Sequence, residues 1–175
     1  MPEGAVGVLR GTAAGGFKAP RTTRTGMLIP DKLALRDVNG DGKPDLLVAN
    51  TAAAVDNGAG DHDYSAIVVS LGRGNGTFSR LTEYDFDSQG PSAFRVADFN
   101  RDGKLDLLTA SPYGMTLSLG RGDGTFQALD QFDTTSRVGG ALVAVADFNG
   151  DGRPDLAVAA MAGHELSVFV NRTQP

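Results

Sequence analysis

The sequence predicts an all-β protein assembled from one repeated antiparallel unit, and three observations carry that prediction. A nine-residue acidic loop occurs three times. A glycine-rich turn ending in phenylalanine occurs twice intact and once in degenerate form, out of phase with the loop. Apolar runs of strand length flank both motifs. With 24 glycines and no tryptophan in 175 residues, the composition agrees with many short strands joined by turns.

The acidic loops read Asp37-Val-Asn39-Gly-Asp41-Gly42-Lys43-Pro-Asp45, Asp98-Phe-Asn100-Arg-Asp102-Gly103-Lys104-Leu-Asp106 and Asp147-Phe-Asn149-Gly-Asp151-Gly152-Arg153-Pro-Asp155. Each places side-chain oxygens at positions 1, 3, 5 and 9 and glycine at position 6. Calcium takes several oxygen ligands at about 2.3–2.6 Å, and a chain wrapping it must turn sharply. The expected ligands are therefore Asp37, Asn39, Asp41, the Lys43 carbonyl and Asp45 in the first loop. The second loop offers Asp98, Asn100, Asp102, the Lys104 carbonyl and Asp106, and the third Asp147, Asn149, Asp151, the Arg153 carbonyl and Asp155. About three structural Ca2+ ions per chain follow. There is no cysteine, and His62 and His164 lie outside the loops, which disfavours zinc. Magnesium rarely has an all-protein cage. An EF-hand needs a bidentate Glu at position 12, where this chain has Val48, Thr109 or Val158. Without metal, the same spacing would form an Asx-rich turn.

The flanks give the elements in order. Strand A precedes each loop as Leu33-Ala-Leu-Arg36, Phe94-Arg-Val-Ala97 or Leu142-Val-Ala-Val145. Strand B follows as Leu46-Leu-Val-Ala49, Leu107-Leu-Thr-Ala110 or Leu156-Ala-Val-Ala159. Strand C comes next, as Ile67-Val-Val-Ser70 or Met115-Thr-Leu-Ser118, with a further copy at Ala5-Val-Gly-Val8. It runs into Leu71-Gly-Arg-Gly-Asn-Gly76-Thr-Phe78, Leu119-Gly-Arg-Gly-Asp-Gly124-Thr-Phe126 or the degenerate Leu9–Phe17 turn. Glycine-rich turns between β-runs read as hairpins, so strand D follows at Phe78–Phe86 and Phe126–Phe132. The phenylalanines are expected to pack between units.

The chain thus reads C-D, A-B-C-D, A-B-C-D, A-B-C. Loop starts lie 61 and 49 residues apart, and the difference is an insertion at 50–64. A four-stranded unit of about 50 residues repeated around an axis is the blade of a β-propeller. One array over 1–175 is expected, with a partial blade at 3–26, a blade at 27–87, another at 88–135 and a partial blade at 136–175.

The Asp-x-Asn-x-Asp-Gly-x-x-Asp loop, the Asp-Leu-Leu-Val-Ala that follows, and the Leu-Gly-x-Gly-x-Gly-Thr-Phe hairpin resemble FG-GAP/VCBS repeats. Such repeats build the propellers of integrin α-subunit heads, secreted bacterial proteins and fungal lectins. The resemblance implies calcium loops between the first two strands of each blade. It is closer to the bacterial VCBS form, because the Phe-Gly and Gly-Ala-Pro signatures are not intact here.

Propellers typically have about 4–8 blades, so about three blades per chain cannot close a ring, and open edges invite association. A homo-oligomer is expected, specifically a dimer forming a six-bladed ring in which the N-terminal hairpin supplies strand D to the last unit of the other copy. A fragment of a longer propeller is the alternative.

Net charge is −5, yet nine of the 21 acidic residues are loop aspartates, and the remaining 12 face 16 basic residues for a net +4. The acidity is ligand chemistry, so folding is expected to depend on calcium. Calcium-rich surroundings favour a secreted or cell-surface bacterial protein, with no signal segment in this sequence. No stretch suggests a membrane span. Basic residues near the N-terminus have no aromatic platform, so nucleic acid is not an expected partner.

The insertion carries Asp61, His62, Asp63 and Tyr64, candidates for sugar binding or acid–base chemistry on a loop that departs from the scaffold. Arg121-Gly122-Asp123 matches Arg73-Gly74-Asn75 in the other hairpin, so it reads as turn chemistry rather than an adhesion motif. No catalytic motif is present, and a non-enzyme is expected. The favoured function is a calcium-stabilised binding module for carbohydrate (lectin-like) or protein. A purely structural or engineered self-assembling fragment is the alternative, with a glycan-active enzyme domain ranked last.

Overall fold

In the computed structural model, strands β5 (Lys32–Arg36), β6 (Asp45–Asn50), β7 (Ser65–Gly72) and β8 (Phe78–Phe86) form an antiparallel sheet in chain order. The structure describes residues 4–25, 30–50, 65–86, 91–111, 114–132, 142–160 and 165–173. The expected A-B-C-D meander is thus observed, joined first by the acidic loop and last by the glycine turn. The unit recurs as β9 (Ala93–Ala97), β10 (Asp106–Ser111), β11 (Gly114–Gly120) and β12 (Phe126–Phe132). A third sheet holds β13 (Leu142–Ala146), β14 (Asp155–Ala160) and β15 (Glu165–Phe169) in the same order. At the N-terminus, β1 (Ala5–Val8) pairs with β4 (Arg21–Arg24), and β2 (Gly11–Thr12) pairs with β3 (Gly16–Phe17) at the hairpin tip.

The second strands explain why the apolar runs are continuous rather than alternating. Successive side chains of a strand point to opposite faces. Leu47 and Ala49 of β6 enter one cluster with Ile67 and Val69 of β7 and with Phe94, Leu107 and Phe126 of the second sheet. Leu46 and Val48 enter another with Ala66 and Val68, against which Val6 and Phe78 pack. The central strands are therefore buried on both faces. Each such Leu, Ile or Val side chain contributes about 1.5–3 kcal/mol by leaving water. A third cluster, including Phe99, Leu108, Met115, Val143 and Val158, joins the second and third sheets. The core lies between sheets, as the repeat requires.

Phe126 does pack between units, and Tyr84 fixes it there. The Tyr84 hydroxyl accepts the Phe126 N–H at 2.7 Å, and the rings meet edge-on with centroids 6.0 Å apart. Phe17 departs from the expectation, because it is 74% exposed. Among the described residues the N-terminal hairpin has a sheet on one side only, so its phenylalanine, paired with Gly11, stays largely exposed.

Candidate functional site

Each acidic loop joins the first two strands of a sheet, so β-pairing brings its ends together: Arg36 faces Asp45, Ala97 faces Asp106 and Ala146 faces Asp155. Between them the chain must reverse, and glycine at position 6 makes this possible. Gly42, Gly103 and Gly152 adopt φ of 79°, 83° and 80°, a region that side chains resist. Position 4 is also left-handed. Gly40 and Gly150 meet that demand without strain, whereas Arg101 sits there at φ 62°.

Positions 1 and 3 converge. The Asp41 N–H donates to Oδ1 of both Asp37 and Asn39 at 3.1 Å, and the Gly42 N–H donates to Asp37 Oδ2 at 2.8 Å. The second loop repeats this with Asp98 and Asn100 about the Asp102 N–H, and the third with Asp147 and Asn149 about the Asp151 N–H. Position 5 turns toward position 7 of its own loop. Asp41 Oδ1 accepts the Lys43 N–H at 2.9 Å, and its Oδ2 meets the Lys43 ammonium at 2.9 Å. That hydrogen bond holds the Asp41 carboxyl below its ordinary range and raises the Lys43 ammonium. Asp102 and Asp151 pair with Lys104 and Arg153 at 3.8 and 3.4 Å. Asp147 is lowered chiefly by the N–H of Gly152.

Position 9 behaves differently. Asp45, Asp106 and Asp155 are fully buried. Asp45 accepts the Val38 N–H at 2.9 Å through Oδ2 and the Gly72 N–H at 2.7 Å through Oδ1. Asp106 holds Phe99 and Gly120 in the same way at 2.9 Å each, and Asp155 holds Phe148 and Asn171 at 3.0 and 2.8 Å. Each carboxylate thus ties the start of its loop to the turn after strand C. Burial raises the Asp106 carboxyl, opposed by these backbone donors.

The sequence reasoning gave Gly72, Gly120 and Asn171 no part in this anchor and treated the hairpin glycines as turn formers. A Cβ at Gly72 or Gly120 would stand 2.0 Å from the carbonyl oxygen of Pro44 or Leu105, so these two positions need glycine for close approach. The signal was the Leu-Gly pair shared by both hairpins. In the third sheet Asn171 replaces that glycine, and its side chain donates to the Pro154 and Phe99 carbonyls at 3.2 and 2.8 Å.

Among the described residues, no three acidic or histidine side chains stand together as a metal-binding group. The donor chemistry nevertheless suits a hard cation. The side-chain donors are all oxygens, positions 1 and 3 converge, and each position-9 oxygen accepting one N–H keeps a second lone pair. Asp61, His62, Asp63 and Tyr64 lie outside the described residues. In the hairpin that carries Arg121, Gly122 and Asp123, Asp123 Oδ1 accepts both the N–H and the hydroxyl of Thr125, as Asn75 does for Thr77.

A model of the FG-GAP-like repeat matches residues 37–109 and again 98–158, each match spanning two acidic loops. The chain belongs to the FG-GAP-like repeat family. In these repeats the acidic loop and the buried position-9 aspartate are one element, since the loop ends where the second strand begins. Among solved structures, the chain is similar to a lectin of Agrocybe aegerita, the subject of work on specific recognition of non-reducing terminal N-acetylglucosamine. The two share 21% identity at a TM-score of 0.60, over 98% of this chain and 48% of the lectin. The FG-GAP-like chain therefore spans about half the length of that structure, and the likeness concerns the fold. No curated protein matches. Among the described residues, no helix is long and apolar enough to cross a membrane.

Proposed function

We propose that the chain is a calcium-stabilised β-propeller interaction module without enzymatic activity. The observation that supports this most is the threefold recurrence of one oxygen-lined loop on a buried carboxylate anchor. In each loop the residues at positions 1, 3, 5 and 9, with the position-7 carbonyl, would hold the ion. Its role is to neutralise three aspartates and stiffen the turn; the chain's own N–H donors orient the position-1 carboxylate. Self-assembly completes the ring, as a dimer of six blades, because among the described residues the third sheet has three strands and the N-terminal unit pairs only β1 with β4 beyond its β2–β3 tip. The ligand is carbohydrate or protein. The lectin-like fold favours carbohydrate, with the Asp61–Tyr64 segment as the candidate contact. A calcium-dependent module of this kind belongs outside the cell or on its surface.

Thermal melts in calcium and in EDTA test the metal. A melting temperature that EDTA leaves unmoved removes calcium from the proposal. A glycan array and a protein-capture screen then separate the two ligand classes, and an array without signal removes the lectin reading.

A further inference from the structure

We infer that a cavity between the second and third sheets is the seat of Phe17 from a second copy of this chain. The inference rests on the self-assembly reading above and names the contact that closes it. The cavity, of about 560 Å3, is lined chiefly by Phe99, Leu108, Met115, Leu117, Leu156 and Phe169. Repeat equivalence identifies what belongs in it. One repeat earlier, Val38, Leu47, Ile67, Val69 and Leu107 stand where Phe99, Leu108, Met115, Leu117 and Leu156 stand here. Those earlier residues cluster with Phe126, the first residue of the fourth strand of its sheet, which is 6% exposed. Among the described residues the third sheet has no fourth strand and so no equivalent phenylalanine.

The missing knob is present elsewhere on the chain. Phe17 ends the degenerate glycine turn, at the motif position of Phe78 and Phe126, and is exposed where they are packed. It precedes β4 as Phe78 and Phe126 begin β8 and β12. Among the described residues, strand β15 pairs with β14 alone, so its outer edge is open. If β15 takes the place of β1 beside the partner's β4, the third sheet gains its fourth strand and Phe17 reaches the cavity.

Four further exposed apolar residues fit the same docking. Leu166 and Val168 hold the positions of Ile67 and Val69 but are 73% and 53% exposed. Leu33 and Leu35 pair with Val48 and Leu46, on the face toward the N-terminal hairpin, and are also exposed. The completed third sheet of one copy would cover that face on the other. The contact is reciprocal, so two copies close on each other.

Phe17→Asp tests the knob, and because Phe17 is exposed the single copy should still fold. Sedimentation over a dilution series reads association. The wild type is expected to be a dimer, and the variant to associate at least about 30-fold more weakly, as for a buried aromatic anchor. The chain lacks cysteine, so combining Phe17→Cys with Met115→Cys should give a covalent dimer on oxidation. A wild type that stays monomeric overturns the self-assembly reading and this contact together. A wild-type dimer that F17D leaves intact, or that yields no covalent dimer, overturns this contact alone. In that case another apolar segment or a small apolar ligand fills the cavity.

Discussion

The buried aspartate at position 9 has two candidate duties, and substitution in chelator separates them. As a cation ligand, Asp45 would matter only when calcium is bound. As a backbone acceptor it would matter always. In the fold, its carboxylate is fully buried and satisfies two N–H groups, of Val38 at 2.9 Å and Gly72 at 2.7 Å. Asp45→Ala leaves both donors without a partner in a site closed to water. An orphaned buried donor costs about 1–3 kcal/mol, so the pair costs about 2–6 kcal/mol. That is a large share of a domain stability of about 5–15 kcal/mol. Asp45→Asn keeps one acceptor oxygen and turns an amide NH2 toward the other donor, for a loss of about 1–3 kcal/mol. Urea unfolding in EDTA is the assay, with Asp37→Ala as the contrast, since its N–H partners lie in an exposed loop. D45A should lose most of this stability with no calcium present. If D45A in EDTA unfolds within about 0.5 kcal/mol of wild type, a spread ordinary for neutral surface changes, the aspartate is not the anchor described.

Three other outcomes are expected. Gly120→Ala drives a Cβ to within 2.0 Å of the Leu105 carbonyl oxygen and disturbs the Gly120–Asp106 bond, so the variant should lose about 1–3 kcal/mol or more; a thermal melt unchanged within a degree contradicts this. Arg101→Gly should gain up to about 1 kcal/mol, because left-handed backbone costs a non-glycine residue about 1–2 kcal/mol and glycine's looser unfolded chain offsets only part; a lower denaturation midpoint contradicts it. The Asp123 carboxyl is held below its ordinary value of 3.8, first by the Thr125 hydroxyl and then by the Thr125 N–H. A depressed carboxyl stabilises the fold above pH 3.8 and loses that contribution as pH falls through its folded value. Carbon-detected NMR should place its midpoint below 3.8, and a midpoint above 4 refutes the assignment.

Much of the fold was legible because local rules and packing agree. Apolar runs between two turn motifs can only be strands, and the limits expected for the fourth strands, Phe78–Phe86 and Phe126–Phe132, are the observed ones. The glycine at position 6 was readable from its backbone demand, and φ near 80° bears it out. The role of position 9 as a backbone anchor was not legible. An aspartate in an oxygen-rich loop looks like a ligand, and its partner in the first repeat lies 27 residues away. Phe17 was misread for a related reason. The motif specifies which residue packs, but whether a neighbouring sheet exists to receive it depends on the end of the array.

The anchor also explains where this scaffold admits change. The aspartate bridges position 2 of its loop to the turn after strand C, across 27 residues in the first repeat, 14 in the second and 16 in the third. The contact keeps the same atoms and nearly the same distance in all three. What varies lies between the second and third strands: Asn50 to Ser65 in one sheet, Ser111 to Gly114 in the next. Doubling a loop adds only about 0.6 kcal/mol of closure cost, well below the value of two buried hydrogen bonds. The anchor can therefore hold the sheet while the connection grows. That connection carries Asp61, His62, Asp63 and Tyr64, the place where a recognition surface can be added without disturbing the frame.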